Sequence, residues 1–158
     1  MNNLLFDSSG YVKVWVDGAC FNNGRDNPAA GFGVVFNLGH ANNQSHPVNG
    51  RLTNNTAEIQ AATCAINTAY QMNINRLCIL TDSHFLINAI TKWMGDWRYH
   101  DWRRADGSLL INESDFRKLD YAMSKMNVKV QYVPAHSGDP YNNLADRLAK
   151  QGAYNNRY

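Results

Sequence analysis

Hydrophobic positions follow a period of two in the first part of the chain and a helical period further on. Residues 11–17 alternate, with Val12, Val14 and Val16 on one face, which is typical of a strand. Residues 77–80 form an uninterrupted apolar run ending near Asp82, which indicates a strand buried on both faces at the centre of a sheet. Three further strands are predicted at 31–36, 44–50 (the weakest) and 128–133.

Apolar residues that recur every three to four positions predict helices between and after these strands. Ala57, Ala61, Ala65 and Ala69 mark one face of the first helix. Strands that first follow one another and then alternate with helices favour an α/β fold, a mixed sheet with helices on both faces. The predicted helices cover 56–70, 83–93, 113–126 and 142–151, and irregular segments cover 17–24, 93–107 and 134–141.

Composition predicts one globular domain. The 158 residues contain no apolar run long enough to cross a membrane, and the first ten lack the pattern of a secretory signal. Three cysteines, an odd number without metal-type spacing, favour reduced thiols in an intracellular protein. The formal charge of +2 is too small to indicate a polyanionic partner by itself.

Four acidic residues lie where the predicted sheet and helices meet. Asp17 and Asp82 end predicted strands, and open α/β sheets bind their ligands at the carboxyl ends of strands. Glu58 and Asp146 lie near the starts of helices predicted to pack on that sheet. If the first and central strands are parallel neighbours, the two aspartates end side by side.

Each acid also has a simpler interpretation. Asp17 precedes glycine in a common turn pair. Asp82 is in position to cap the following helix, and Asn55 with Glu58 fits a capping box. Asp146 is spaced to pair with Lys150 on a solvated helix face.

Together, the four acids favour a metal site. Four carboxylates in one pocket repel each other unless cations hold them, and oxygen ligands favour Mg²⁺ or Mn²⁺. Carboxylate clusters hold two ions about 3.5–4 Å apart in enzymes that transfer phosphoryl groups in line. The residues alone therefore predict a metal-dependent phosphodiesterase.

Two polar surfaces fit a nucleic acid. Three of the four tryptophans lie in one basic segment, and cations interleaved with aromatic rings suit a nucleic-acid backbone, although a solvated basic face over core tryptophans is the alternative. An asparagine-rich set can read a ribose 2′-hydroxyl or a minor-groove edge, although turns and helix caps also use such residues. His136 is a candidate proton shuttle, and Asn112 a candidate cap for the helix at 113. The basic segment contains Lys92, Trp93, Trp97, Arg98, Trp102, Arg103 and Arg104, and the second set contains Asn22, Asn23, Arg51, Thr53, Asn54 and Asn55.

Several sequence blocks, in order and at similar spacing, resemble type 1 ribonuclease H over about residues 11–153. The resemblance implies a ribonuclease H-like, five-stranded mixed sheet flanked by helices. It also implies Mg²⁺-dependent cleavage of the RNA strand of RNA–DNA hybrids, leaving 3′-hydroxyl and 5′-phosphate ends. The blocks are Val16-Asp17-Gly18, Thr53-Asn54-Asn55-Thr56-Ala57-Glu58, Thr81-Asp82-Ser83, Val133-Pro134-Ala135-His136-Ser137-Gly138 and Ala145-Asp146-Arg147-Leu148-Ala149.

The resemblance also implies individual roles. Asp17 would bridge two ions, Asp146 would hold the ion that activates water, and Glu58 and Asp82 would hold the other. His136 would assist proton transfer or product release. Cys20, Asn23, Asn54 and Asn55 match contacts to the RNA strand or the minor groove; Arg51, Thr53 and Asn112 match a pocket for a DNA phosphate; Phe85, Trp93 and Trp97 match a channel that favours deoxyribose.

These expectations leave two alternatives open. One is a DNA-acting polynucleotidyl transferase of related fold, and the other is a non-catalytic nucleic-acid-binding module. We expect residues 1–10 to be a flexible segment, 11–153 the catalytic domain and 154–158 a tail. We further expect a monomer without a small-molecule cofactor.

Overall fold

A five-stranded mixed sheet forms the centre of the fold, in the order β3-β2-β1-β4-β5. The computed structural model describes residues 3–155. β1 pairs antiparallel with β2 and parallel with β4, β2 pairs antiparallel with β3, and β4 pairs parallel with β5. The predicted mixed sheet is confirmed. The strands are β1 (Val12–Phe21), β2 (Ala29–Val35), β3 (Gln44–Pro47), β4 (Arg76–Thr81) and β5 (Asn127–Tyr132).

Helices cover both faces of this sheet. Val12, Val14 and Val16 face the core formed with α1 and α4, whereas Trp15 faces the smaller core formed with α5. This separation follows the alternation of β1, because successive strand residues point to opposite faces. The helices are α1 (Asn54–Gln71), α2 (His84–Asn88), α3 (Met94–Tyr99), α4 (Glu113–Met123) and α5 (Pro140–Asn155), with a π-helical turn at Ala89–Trp93 between α2 and α3.

Three segments differ from their predicted structure. The turn predicted at 17–24 begins later, because β1 continues through Gly18 to Phe21, which pairs with Ala29 of β2. The single helix predicted at 83–93 is interrupted by the π-helical turn. Residues 94–99 of the segment predicted as irregular form α3.

The prediction that Trp102 belongs to a surface for nucleic acid is wrong. Its side chain is 6% exposed and belongs to the core beneath α1 and α4, although the polarity of its neighbours favoured a surface position. The Arg117 guanidinium lies 5.4 Å from the centre of its ring. Trp102 therefore anchors the segment to the core instead of offering a binding surface.

The chain before β1 is attached to the sheet, although its polar composition predicts a loose end. The Lys13 N–H donates to the Leu5 carbonyl at 2.8 Å, and Asp7 pairs with Lys129 at 2.7 Å. Residues 1–2 and 156–158 of the predicted end segments lie outside the described residues. Over residues 3–155, no helix combines the length and apolar composition that crossing a bilayer requires.

Glycines let α5 pack directly on the sheet. A methyl group added at Gly152 of α5 would lie 2.3 Å from the His46 carbonyl oxygen of β3. One added at Gly31 of β2 would lie 2.1 Å from the Ala153 nitrogen. These contacts are backbone to backbone, so neither site can adapt by moving a flexible side chain. This packing fixes the position of α5 on β2.

Gly152→Ala is expected to destabilise the protein by roughly 1–3 kcal/mol, because the added methyl group overpacks the interface. Gly95→Ala in α3 is the matched control, since its added methyl group meets no atom within 4 Å. We expect the control to be neutral or to stabilise by up to about 1 kcal/mol. Urea unfolding measures both changes, and equal stability of the two variants would contradict the packing described here.

Candidate functional site

The pairing of β1 with β4 brings two aspartates together. Trp15 pairs with Leu80 in a parallel register, and Asp17 and Asp82 each follow two residues later. Glu58 of α1 completes a group in which one carboxylate oxygen of each residue lies within 4.8 Å of the others. Asp17 and Glu58 are buried and Asp82 is half-buried.

Gly18 is the residue that allows α1 to come this close to β1. A methyl group at this position would lie 2.7 Å from the Ala57 Cβ and 2.9 Å from the Glu58 nitrogen. The absence of a side chain thus lets the first turn of α1 reach the strand beside Asp17. Any larger residue would move the Glu58 carboxylate away from the two aspartates.

Burial and mutual repulsion disfavour the charged forms of these acids. Burial first, and then the charges of Asp82 and Asp146, raise the pKa of Asp17 to about 8. Burial and the charges of both aspartates raise the pKa of Glu58 well above its ordinary value. Burial also raises the pKa of Asp82, against a hydrogen bond from Asn142 that lowers it. Among the described residues, Glu58 Oε2 is buried with no hydrogen-bond partner.

The simpler interpretations of Glu58 and Asp82 are wrong. The N-cap of α1 is Thr53, whose hydroxyl accepts from the Thr56 N–H at 3.1 Å, so Asn55 and Glu58 form no capping box. The N-cap of α2 is Ser83, which accepts from the Leu86 N–H at 3.0 Å. Neither acid is needed to begin its helix.

The interpretation of Asp146 as one half of an ion pair is confirmed, because its carboxylate lies 3.0 Å from the Lys150 ammonium. Asp146 also lines the same cavity as the three clustered acids, which we call the acidic cavity and which encloses about 340 Å³. It lies outside the tight carboxylate group. The exposed His136, with a positive φ of 54°, lines the same cavity.

Asn142 also lines the acidic cavity but was missed from the sequence. The residue is 2% exposed, it lowers the pKa of Asp82, and its Oδ1 is buried without a partner among the described residues. The available signal was its spacing, since it lies four residues before Asp146 and so shares a helix face with it.

The start of α5 is fixed by contacts to β1. Asp139 Oδ1 accepts from the N–H groups of Tyr141 and Asn142 at 2.9 and 3.2 Å, and Asp139 Oδ2 accepts from the Trp15 indole at 3.3 Å. The rings of Trp15 and Tyr141 stack with centres 4.4 Å apart. β1 therefore carries one acid and also orients the helix that supplies Asn142 and Asp146.

An aromatic cluster joins the residues predicted to favour deoxyribose. Trp97 contacts Phe116 of α4 with ring centres 4.8 Å apart, and Trp93 lies 5.9 Å from Trp97 and 5.7 Å from Phe85. Trp93 and Trp97 are half-buried. Their rings are therefore held by the core while part of each surface stays open to a ligand.

The cations of the basic segment are not equivalent. Arg98 makes a two-pronged ion pair with Asp120 of α4, with its Nε 3.1 and 3.2 Å from the two oxygens, so it fastens α3 to α4. Lys92, Arg103 and Arg104 are exposed. The prediction of a basic surface thus holds for all four exposed residues, although the charge of Arg98 is paired with Asp120.

A second cavity, of about 380 Å³, gathers most of the predicted asparagine-rich set. Asn112 lies at its rim in the left-handed region, with φ of 65°, and its side chain makes no cap to α4. Asn112 is therefore the N-cap residue of α4 by position, as predicted, but its side chain makes no capping hydrogen bond. Cys20 lies nearby, with its thiol 3.5 Å from the Leu52 carbonyl. The lining residues are Asn23, Arg51, Thr53, Asn54, Asn55, Ile111 and Asn112.

Comparison with known proteins agrees with this architecture. Among solved structures, a foamy viral protease-reverse transcriptase in complex with double-stranded DNA superposes with a TM-score of 0.75, at 24% identity over 90% of this chain and 94% of that one. LC9-RNase H1, described as a type 1 RNase H with the type 2 active-site motif, gives a TM-score of 0.70 at 24% identity over 91% and 72% of the chains. These likenesses show a shared fold.

Sequence similarity assigns the family. The sequence model of the RNase H family matches residues 9–154. Human Ribonuclease H1 is 44% identical over 143 residues, which cover 90% of this chain and 50% of the human protein, so the chain spans about half the length of that relative. Ribonuclease H of Bordetella pertussis is 33% identical over 154 residues, 96% of each chain. The chain belongs to the RNase H family, and to its type 1 branch.

Asp17→Asn is expected to stabilise the metal-free protein at neutral to alkaline pH. Because the folded state raises the pKa of Asp17 from 3.8 to about 8, that state binds its proton more tightly than the unfolded chain. The wild type therefore loses stability as the pH rises through this interval, by on the order of 1 kcal/mol or more. An asparagine oxygen still accepts from the Gly18 N–H, so the backbone contact at 2.9 Å survives.

Urea unfolding in EDTA at pH 4 and pH 8 measures this effect. The variant and the wild type should be equally stable at pH 4 and should diverge at pH 8. Asp26→Asn, at an exposed position, is the matched control and should follow the wild type. A wild type that gains stability over Asp17→Asn towards pH 8 would contradict the repulsion described here.

Proposed function

We propose that the protein hydrolyses the RNA strand of RNA–DNA hybrids with two divalent cations, leaving 5′-phosphate and 3′-hydroxyl ends. The observation that carries the proposal is the buried carboxylate group of Asp17, Glu58 and Asp82 in a member of the RNase H family. A structure of the foamy viral protease-reverse transcriptase in complex with an RNA/DNA hybrid matches this fold over 20% of that chain, with a TM-score of 0.74. Residues 11–153 would act as a monomeric, intracellular catalytic domain without a small-molecule cofactor.

The residues present fit divalent cations. Asp17, Glu58 and Asp82 offer only oxygen donors, which suit Mg²⁺ or Mn²⁺ better than softer metals. The unpartnered Glu58 Oε2 and the raised pKa of Asp17 are both relieved by a nearby positive charge. Asp146, on the same cavity, would complete the set. When bound, such ions activate water and neutralise charge that develops on the phosphate.

The chain's own groups have separate tasks around these acids. Asn142, buried on the same cavity, lowers the pKa of Asp82 and so would favour the charged, metal-binding form of that carboxylate. His136, exposed on the same cavity, would exchange protons between solvent and the leaving strand or assist product release. His136 lies on the loop before α5, whereas the acids lie on the sheet and on the helices packed against it.

The substrate would lie across the two cavities and the aromatic cluster. Cys20, Asn23, Asn54 and Asn55 would contact the RNA strand or minor groove, where amides can both donate to and accept from a 2′-hydroxyl. Phe85, Trp93 and Trp97 would contact the deoxyribose side through their open ring surfaces. Arg51, Thr53 and Asn112 would hold a DNA phosphate in the second cavity.

A gel assay with one labelled RNA strand tests the proposal. The strand is presented single-stranded, paired with RNA or paired with DNA, in Mg²⁺ and in EDTA. We expect cleavage of the DNA-paired form in Mg²⁺ alone, with 5′-phosphate ends. Cleavage of labelled duplex DNA instead would indicate a DNA-acting transferase, and binding without cleavage would indicate a non-catalytic module.

Asp82→Asn is expected to abolish turnover while leaving the fold and hybrid binding intact. The substitution removes metal-binding charge from a half-buried site without changing side-chain volume. Single-turnover cleavage in Mg²⁺ and fluorescence anisotropy with a hybrid measure the two properties. A variant that cleaves at near the wild-type rate would show that Asp82 holds no required ion.

Replacing Trp93 and Trp97 with alanine is expected to raise KM about tenfold or more while changing kcat little, since each base or sugar stacked on an aromatic ring contributes about 1–3 kcal/mol. Tyr70→Ala is the control, because it removes an exposed ring at the far end of α1. Thermal unfolding checks that the aromatic cluster still folds. Loss of kcat at unchanged KM would contradict a binding role.

A further inference from the structure

A chain of side-chain hydrogen bonds runs from α4 to the first turn of α1. The Asn112 amide nitrogen donates to Asp115 Oδ2 at 3.3 Å and to Thr56 Oγ1 at 2.8 Å. The hydroxyls of Thr56 and Thr53 lie 2.9 Å apart. Thr56 is fully buried, whereas Asn112 and Thr53 line the second cavity. The chain therefore connects a carboxylate on α4 to a hydroxyl that faces a ligand-sized space.

The carboxylate sets the direction of every bond in this chain. An ionised Asp115 can only accept, so Asn112 must turn its amide nitrogen, and not its oxygen, towards it. That nitrogen also donates to Thr56 Oγ1. The buried Thr56 hydroxyl then needs an acceptor for its own proton, and of its two contacts only Thr53 Oγ1 can accept.

The Thr53 hydroxyl is free to donate a hydrogen bond to a ligand. Its Oγ1 accepts from the Thr56 N–H at 3.1 Å and, by the direction just described, from the Thr56 hydroxyl. Both acceptor positions are then occupied, and the Thr53 hydroxyl proton is available to the second cavity. Arg51 lines the same cavity, so a donor and a cation face one space.

Gln60 holds Asp115 in place from the other side. Its Nε2 donates to Asp115 Oδ1 at 3.1 Å and to the Asn49 carbonyl at 2.7 Å, and its Oε1 accepts from the Asn49 N–H at 3.1 Å. Because the Asn49 peptide fixes which end of the Gln60 amide donates, each oxygen of Asp115 has its own donor. The carboxylate thus has a defined orientation.

We propose that Asp115 is a positioning residue that directs this hydrogen-bond chain and makes Thr53 a donor to a phosphate of the substrate. The proposal rests on the phosphate-binding role given to the second cavity under the proposed function. By charge repulsion alone, a carboxylate close to a phosphate should weaken phosphate binding. The proposal predicts instead that the Asp115 carboxylate strengthens it. Removing the charge should therefore weaken binding and not strengthen it.

Asp115→Asn tests the proposal with almost no change in shape. An asparagine must present its amide nitrogen to either Asn112 or Gln60, both of which already donate, so one bond is lost and the direction of the chain is no longer fixed. Loss of such a bond is expected to raise both the hybrid Kd in EDTA and the KM in Mg²⁺ about three- to tenfold, with kcat within about twofold of wild type.

Glu113→Gln is the matched control. It removes one negative charge from the same turn of α4, where Glu113 pairs with Arg117 at 2.9 Å and takes no part in the chain. We expect its Kd to equal that of wild type or to be lower. Asp115→Asn binding as tightly as Glu113→Gln would overturn the proposal.

Thr56→Val provides a second test, since it interrupts the chain while keeping the backbone bond from the Thr56 nitrogen to Thr53. The double variant with Asp115→Asn should lose no more affinity than either single variant, because both break one chain. Additive losses would contradict a shared path. A wild type that cleaves no hybrid would contradict the proposed function, whereas the Kd comparison decides this inference without cleavage.

A hybrid with a neutral methylphosphonate at each DNA position in turn locates the phosphate. At one position the wild type should lose affinity, and Asp115→Asn should lose clearly less. Equal losses in the two proteins at every position would overturn the link between Asp115 and phosphate binding.

Discussion

Repulsion among buried carboxylates is the constraint on which the site depends. Asp17, Glu58 and Asp82 are brought within 4.8 Å of one another by a parallel strand pair and one helix. Charged groups so close in a buried place destabilise the fold unless they are protonated or neutralised. All three acids lie together in the structure, and the raised pKa of Asp17 shows that its charged form is disfavoured there. A bound cation would relieve this repulsion.

The rest of the fold holds that arrangement in place. Gly18 lets α1 approach β1, and Gly31 and Gly152 let α5 lie directly on the sheet. Gly18 faces the Ala57 Cβ and the Glu58 backbone, and Gly31 and Gly152 face backbone atoms, so α1 and α5 lie close against the sheet. Trp15 and Asp139 fix where α5 begins, and thereby where Asn142 and Asp146 lie. Groups that bind ligand by charge are thus carried on elements positioned by packing.

Much of this could be predicted from sequence, because it depends on local periodicity. The alternation of β1 and the apolar run of β4 fixed which faces are buried, and so placed Asp17 and Asp82 at one edge of the sheet. Glu58 lies near the start of a helix predicted to pack on the sheet, which placed it close to the two aspartates. These inferences use spacing alone, which the folded chain preserves.

The errors concern contacts between residues distant in sequence. The polar residues next to Trp102 in the sequence favoured a surface position, although its side chain lies in the core. Arg98 pairs with Asp120, which lies on another helix and 22 residues further along the chain. Asn112 has the position of a helix cap, but its amide is engaged by Thr56 and Asp115. A local sequence pattern cannot identify partners that are distant along the chain. The direction of a hydrogen-bond chain can therefore be determined only from the folded structure.

The most direct test of the account is diffraction from crystals soaked in Mn²⁺, with anomalous differences recorded near the manganese edge. We predict a strong anomalous peak in contact with Asp17, Glu58 and Asp82, and its loss in Asp17→Asn. Manganese bound elsewhere on the protein, with the three carboxylates free of it at saturating concentration, would contradict the central claim that these acids are held together to bind a cation.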